Sequence, residues 1–247
     1  MRVLVIGASG VIGTRLVPQL RQRGHEVTGT SRTPGKAGRL RALAAEPLML
    51  DAPDARAVRK TVAAARPDAI IYQSTALAGL SDFRHFDASF AATSRLRTEG
   101  TDIMLAAARE AAVARIVAQS YACHRYARQG GPVKTEDDPL DPTPPAAARQ
   151  AFAALTHIDE AVTGAGRIAL RFGSFYGDPG DGWPNLMRTR KVPVVGDGGG
   201  VWSHIHLHDA AAATVPALDH GGPASVIEPH TSMSTINSRS FRCVGVC

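Results

Sequence analysis

Val3-Leu4-Val5-Ile6-Gly7-Ala8-Ser9-Gly10-Val11-Ile12-Gly13 stands directly behind Met1-Arg2, and its reading decides the fold. Four consecutive apolar residues, Val3 to Ile6, suit a strand buried on both faces of a parallel sheet. Gly7, Gly10 and Gly13 follow at three-residue spacing and lead into a helix predicted over Thr14–Arg23. Gly7 permits a tight strand-to-helix turn, Gly10 lets backbone approach a pyrophosphate, and Gly13 lets the helix pack close to the sheet. The helix N-terminus then offers free N–H groups and a positive dipole end to phosphate. In this context the turn predicts a dinucleotide site built from Gly7, Ser9, Gly10, Val11, Ile12 and Gly13.

The rest of the chain alternates strands and helices, as a doubly wound parallel sheet requires. Strands are predicted over Glu26–Thr30, Pro47–Leu50, Ala69–Gln73, Ile116–Gln119 and Ile168–Phe172. Helices are predicted over Gly35–Ala45, Pro53–Ala65 with its proline in the first turn, Phe90–Ala112 and Ala146–Thr163. Pro18 falls inside the first helix and should kink it or remove a backbone hydrogen bond. From Gly173 the alternation loosens, and glycines crowd the stretches 173–184 and 196–200.

With 247 residues, the chain has room for one α/β domain and a small appendage. Apolar content of 44% and charged content of 20% are ordinary for a soluble protein. No apolar run is long enough to span a bilayer, and Met1-Arg2 runs into the first strand with no leader layout, so a cytoplasmic location and no membrane partner are expected. Cys123, Cys243 and Cys247 have neither metal-site spacing nor the makings of a disulfide framework. The net charge of +6 is carried almost wholly by arginine. It suits a solvated surface and an anionic cofactor; without a basic run interleaved with aromatics, no nucleic-acid partner is expected. High Arg, Ala and Gly with little Lys suggests a GC-rich bacterial gene.

The Gly-x-x-Gly-x-x-Gly spacing resembles the extended and atypical branches of the short-chain dehydrogenase/reductase superfamily, akin to the NAD-dependent epimerase/dehydratase family. The resemblance covers about residues 1–220. It implies a Rossmann-type sheet over 1–172, a partial substrate-binding region over 173–227 interleaved with it, and an irregular tail over 228–247. Arg188, Arg190 and Lys191 lie in that second region, either meeting an anionic substrate or facing solvent. Extended members usually run on further, so the C-terminal region is expected to be truncated, by a frameshift near Ile227. Family members often pair through the long fourth and fifth helices, so a homodimer is also implied.

Where an NAD-preferring fold places an acid after its second strand, this chain reads Thr30-Ser31-Arg32. Ser31 and Arg32, with Lys36 nearby, are suited to a 2′-phosphate, so NADP is expected in preference to NAD. By resemblance, Asp51 and Ala52 contact the adenine edge, and Gln73, Ser74 and Thr75 pass the pyrophosphate and ribose.

The superfamily's chemistry uses a Tyr-x-x-x-Lys pair and a Ser or Thr. The lysine lowers the tyrosine's pKa, so that a phenol ordinarily near 10 exchanges a proton near neutrality. Val117-Ala-Gln-Ser-Tyr-Ala-Cys-His-Arg-Tyr126 resembles the Ser-bearing strand end, but aligned on Tyr126 the usual Ser falls on Ala122. Ser120 either reaches the reacting group or caps local backbone. On the following helix, aligned on Glu160, Phe152 takes the tyrosine's place and Thr156 the lysine's. Ser120, Tyr121 and Tyr126 are therefore the catalytic candidates, with His124 and His157 weighed as replacement acids.

Leu170-Arg-Phe-Gly-Ser-Phe-Tyr-Gly177 and Trp202-Ser-His-Ile-His-Leu-His-Asp209 resemble family segments that border the nicotinamide and cross the substrate pocket, which places Tyr176, Trp202 and His204 on the substrate. His204, His206 and His208 would share one face of a strand. Such a face could bind zinc, but the family segment carries its His and Asp without a metal, so none is expected. Asp209 is expected as the next helix's N-cap. Two further readings stand beside hydride transfer to a small carbonyl or nucleotide-sugar substrate: a non-catalytic NADP(H) sensor, and a truncated inactive relic.

Overall fold

The apolar run after Met1 forms strand β1 (Arg2–Ile6), and the glycine turn delivers the chain into helix α1 (Gly13–Gln22). In the computed structural model, which describes residues 1–77, 85–122, 125–127, 129–131, 134–178, 203–222 and 225–227, the alternation then continues. It runs through β2 (Glu26–Ser31), α2 (Ala37–Ala42), β3 (Glu46–Met49), α3 (Ala55–Ala65) and β4 (Ala69–Tyr72). Next come α4 (Phe86–Arg95), α5 (Thr101–Glu110), β5 (Arg115–Tyr121), α6 (Arg149–Gly164) and β6 (Ile168–Phe172). Short strands β7 (Ser174–Tyr176) and β8 (His204–His206), helix α7 (Leu207–His220) and β9 (Val226–Ile227) complete the described elements.

Seven strands make one parallel sheet in the order β3-β2-β1-β4-β5-β6-β9, and β7 pairs with β8 in a separate two-stranded sheet. This is the Rossmann-type sheet expected from the alternation. Side chains of β1 alternate between its two faces. Val3 and Val5 join Leu16, Leu20, Ala211 and Val215 beneath α1 and α7, while Leu4 and Ile6 join Val58, Val62, Met104 and Ile158 beneath α3, α5 and α6. Because every strand of the main sheet runs the same way, their C-terminal ends share one edge. The order reverses between β1 and β4, which opens a crevice there.

Several boundaries differ from expectation, each for a local reason. The helix expected over 90–112 begins at Phe86 and contains a π turn, Leu96–Gly100, between α4 and α5. Pro53 lies outside α3, because Asp54 caps that helix by accepting from the Arg56 and Ala57 amides, both at 3.0 Å. Asp209 is not an N-cap; His206 is, its Nδ1 accepting from the His208 amide at 3.2 Å, and Asp209 falls within the first turn. His208 therefore belongs to α7 and does not share a strand face with His204 and His206. Pro18 stands within α1, which continues past it. No helix among the described residues is long and apolar enough to cross a membrane.

Candidate functional site

The glycine turn, the end of β2 and the end of β4 meet at the crevice. Gly7 has φ +94°, and a Cβ there would meet the Gln73 carbonyl oxygen at 2.8 Å. Its amide donates to Thr30 Oγ1 at 3.1 Å, which ties β1 to β2. A Cβ at Gly13 would meet the Ala8 carbonyl oxygen at 2.5 Å, so the first turn of α1 can sit this close only with glycine. No side chain caps α1; the Thr14 amide donates to the Gly10 carbonyl at 3.0 Å and the Arg15 amide to the Ile12 carbonyl at 2.9 Å, so what this helix end offers an anion is the positive end of its dipole. Ile12 is buried in the core and Val11 points outward.

Gln73 supplies an independent sign of a ligand. Its side chain is buried, and neither Oε1 nor Nε2 has a hydrogen-bond partner among the described residues. Buried amides are ordinarily satisfied, so a polar group is expected to meet this one. Ser74 and Thr75 follow it, half-buried, and Asp51 is exposed in the turn after β3, ahead of buried Ala52. These residues fit a dinucleotide laid across the crevice.

Ser31, expected at the cofactor's 2′-phosphate, is bonded to its own neighbours. Its hydroxyl accepts from Ser9 Oγ at 3.0 Å and from the Thr33 amide at 3.1 Å, and lies 3.2 Å from the Thr33 carbonyl that it donates to. That leaves it no capacity for a 2′-phosphate. Arg32 is exposed.

At the ends of β5 and β6 lies a buried charge cluster. Asp159 Oδ2 accepts from Arg125 and from Arg171, both at 2.8 Å, and all three side chains are less than a tenth exposed. Arg125 also donates to the Tyr121 carbonyl at 3.1 Å and to Thr156 Oγ1 at 3.3 Å, and reaches Ser120 Oγ at 3.5 Å. Arg171 donates to the Tyr126 hydroxyl at 3.2 Å. The Tyr121 and Ser174 hydroxyls are 2.8 Å apart. Ser120, Tyr121 and Tyr126 are thus brought together, as expected, but around arginines rather than a lysine.

Arg97, in the π turn, joins this neighbourhood: only 5% exposed, it lies within electrostatic range of Arg125, Tyr121 and Asp159. Sequence reading missed Arg97, Arg125 and Asp159. For Arg97 alone a signal was available in helical phase, since Thr93, Arg97, Thr101 and Met104 form one buried stripe.

His157 is placed elsewhere. Its Nε2 lies 2.8 Å from Asp102 Oδ1 at the surface, where it joins α6 to α5. Tyr176 is 42% exposed and meets His206 edge-on, ring centroids 5.2 Å apart. His204 is half-buried, and that burial holds its pKa below the usual histidine value against the opposing effect of a hydrogen bond with Ser174 backbone. Trp202, Cys123, His124, Arg188, Arg190, Lys191, the glycines of 196–200 and the tail with Cys243 and Cys247 lie outside the described residues.

Comparison with known proteins agrees with this geometry. A family model described as "NAD dependent epimerase/dehydratase family" matches residues 3–228. A 3-diazoavenalumate denitrifying reductase from a Streptomyces species is 42% identical over 229 residues, covering 89% of this chain and 72% of the relative. Among solved structures, UDP-glucose 4-epimerase from Thermotoga maritima superposes with TM-score 0.75 at 18% identity, over 94% of this chain and 77% of that one. UDP-glucose 4-epimerase from Thermus thermophilus, in complex with NAD, gives 0.69 at 23% identity, over 94% and 78%. Other similar structures also hold NAD. The expected preference for NADP is therefore overturned: the similar structures hold NAD, and the Ser31 hydroxyl is already bonded to its neighbours.

Proposed function

The chain belongs to the NAD dependent epimerase/dehydratase family, enzymes that bind a nicotinamide dinucleotide and transfer hydride, and on that premise we propose that it is an NAD-dependent reductase of a small diazo compound. The relative at 42% identity is named as a reductase that removes nitrogen from such a compound. The observation that carries the reading is the make-up of α6. Phe152 has no proton to exchange, and Thr156 Oγ1 accepts from Arg125 where the family pattern has a lysine. Reduction of a carbonyl leaves an oxyanion that needs a proton, which is the tyrosine's task. Reduction of a diazonium group, R–N2⁺ + H⁻ → R–H + N2, balances with no proton from the protein, and NADH held by the glycine turn would supply the hydride.

In this reading the glycine turn, Asp51, Ala52, Gln73, Ser74 and Thr75 hold the dinucleotide. Ser120, Tyr121 and Tyr126 border the reacting group, and Tyr176, Trp202 and His204 border the rest of the substrate. Residues 1–172 act as the cofactor domain and 173–227 as the substrate-binding region. A homodimer through the long α4–α5 helix and α6 belongs to the same proposal, and sedimentation equilibrium would show it as twice the chain mass.

The test is NADH consumption with an aryl diazonium salt and with a panel of carbonyl compounds, released N2 being followed by mass spectrometry. We expect N2 in step with NADH loss, slow turnover of the carbonyls, and a tenfold or greater fall in kcat for Ser120→Ala. Reduction of carbonyls alone would overturn the diazo reading, and full activity in Ser120→Ala would remove that residue from the site.

A further inference from the structure

Arg97 is a buried guanidinium that no paired acid balances among the described residues, Asp159 and Tyr121 favouring its charge only from beyond ion-pair distance. Its side chain makes no hydrogen bond and no ion pair among the described residues, although it is only 5% exposed. The neighbouring groups pull in opposite directions, Arg125 against its charge and Tyr121 and Asp159 for it. Arg125 and Arg171 both pair with the carboxylate of Asp159, so that acid is already engaged by two arginines before Arg97 is considered. An uncompensated buried charge costs several kcal/mol, a cost that a fold does not retain without an opposing gain. Burial first, and then repulsion from Arg125, pull the Arg97 pKa down to about 10, which still leaves it charged at neutral pH.

Its location narrows the use. Arg97 projects from a π turn inserted between α4 and α5, and such turns often mark functional positions. It lies by the end of β5, with Tyr121, whereas the glycine turn follows β1 on the far side of β4. The missing negative charge is therefore not the dinucleotide's pyrophosphate. The planar fork of a guanidinium matches a carboxylate through two parallel hydrogen bonds, and dehydration makes such a pair stronger.

We propose that Arg97 is the anchor for a substrate carboxylate, binding it at the β5 end of the crevice beside Ser120 and Tyr121. The proposal rests on the reading that this edge of the sheet is the substrate site. It deepens that reading by requiring an anionic substrate, a property that the family match does not assign. Arg125 and Arg171 stay with Asp159 and supply background potential, while Arg97 is the group left to pair.

The experiment is calorimetric titration of the whole chain with acetate, benzoate and cinnamate, and with their neutral amides, with and without saturating NAD⁺. At least one acid should bind tenfold or more tightly than its amide. Arg97→Gln should erase that difference while still binding NADH, and Arg97→Lys should restore part of it. Because the guanidinium is unpaired without ligand, the melting temperature of unliganded Arg97→Gln should equal or exceed that of the wild type. Equal binding of acid and amide, no binding of any acid, or undiminished acid binding by Arg97→Gln would each overturn the proposal. So would an Arg97→Gln chain that melts lower or fails to fold, since Arg97 would then be structural. Loss of NADH binding by the wild type would instead count against the cofactor reading, and the titrations without NAD⁺ would still judge Arg97.

Discussion

Asp159 is the residue on which the electrostatics of the β5–β6 edge depend. One oxygen serves both Arg125 and Arg171, and the other has no hydrogen-bond partner among the described residues. Replacing it with asparagine removes the carboxylate that two buried guanidiniums share, so Asp159→Asn should cost about 3–5 kcal/mol, read by denaturant melts. His204 provides a pH signature. A histidine whose folded pKa lies below its unfolded value, near 6.5, is neutral in both states well above that pH and contributes no pH dependence there. As pH falls below about 6.5 the unfolded chain takes up the proton first, so stability declines toward the folded pKa. An NMR titration should place the His204 transition below that of an exposed histidine, and His204→Gln should flatten this part of the stability profile. At this scale the placement of Ser120 and Tyr121 was legible, because they end a recognisable strand, with Tyr126 five residues beyond it. Arg97 and Arg125 were not, since an arginine reads as surface until its packing is seen.

Among the elements, the strand–turn–helix unit from β1 to α1 was the easiest to anticipate, and it makes the plainest prediction. Gly7→Ala places a Cβ against the Gln73 carbonyl at a positive φ, so we expect a loss of about 1–3 kcal/mol together with weaker NADH binding, seen by nucleotide fluorescence. The π turn was invisible to periodicity. It reads as a continuation of one long helix, and its irregularity shows only in the fold, where the buried Tyr72 hydroxyl donates to the Leu96 carbonyl at 2.8 Å. Tyr72→Phe leaves that carbonyl without its partner and should cost about 1–3 kcal/mol in thermal melts. If the turn positions Arg97, the same variant should also weaken carboxylate binding.

For the whole molecule, a ligand that binds only the folded chain stabilises it by mass action. NADH at a hundred times its Kd should add about 2.7 kcal/mol, which for a chain of this length is a rise of roughly 5–10 °C in melting temperature. NADPH at the same concentration should give a smaller rise, given a Ser31 hydroxyl already committed to Ser9 and Thr33. The sequence by itself determined the class of sheet, the position of the dinucleotide turn and the absence of the tyrosine–lysine pair. These are local properties, written in runs of apolar residues, in glycine spacing and in residue identity. Only the folded chain shows that Gln73 is buried without a partner among the described residues, that Ser31 is engaged by its neighbours, and that an arginine from the loop after β5 and another from β6 meet on one aspartate. Those facts depend on residues far apart in the chain, and on the water removed from between them, which no local pattern records.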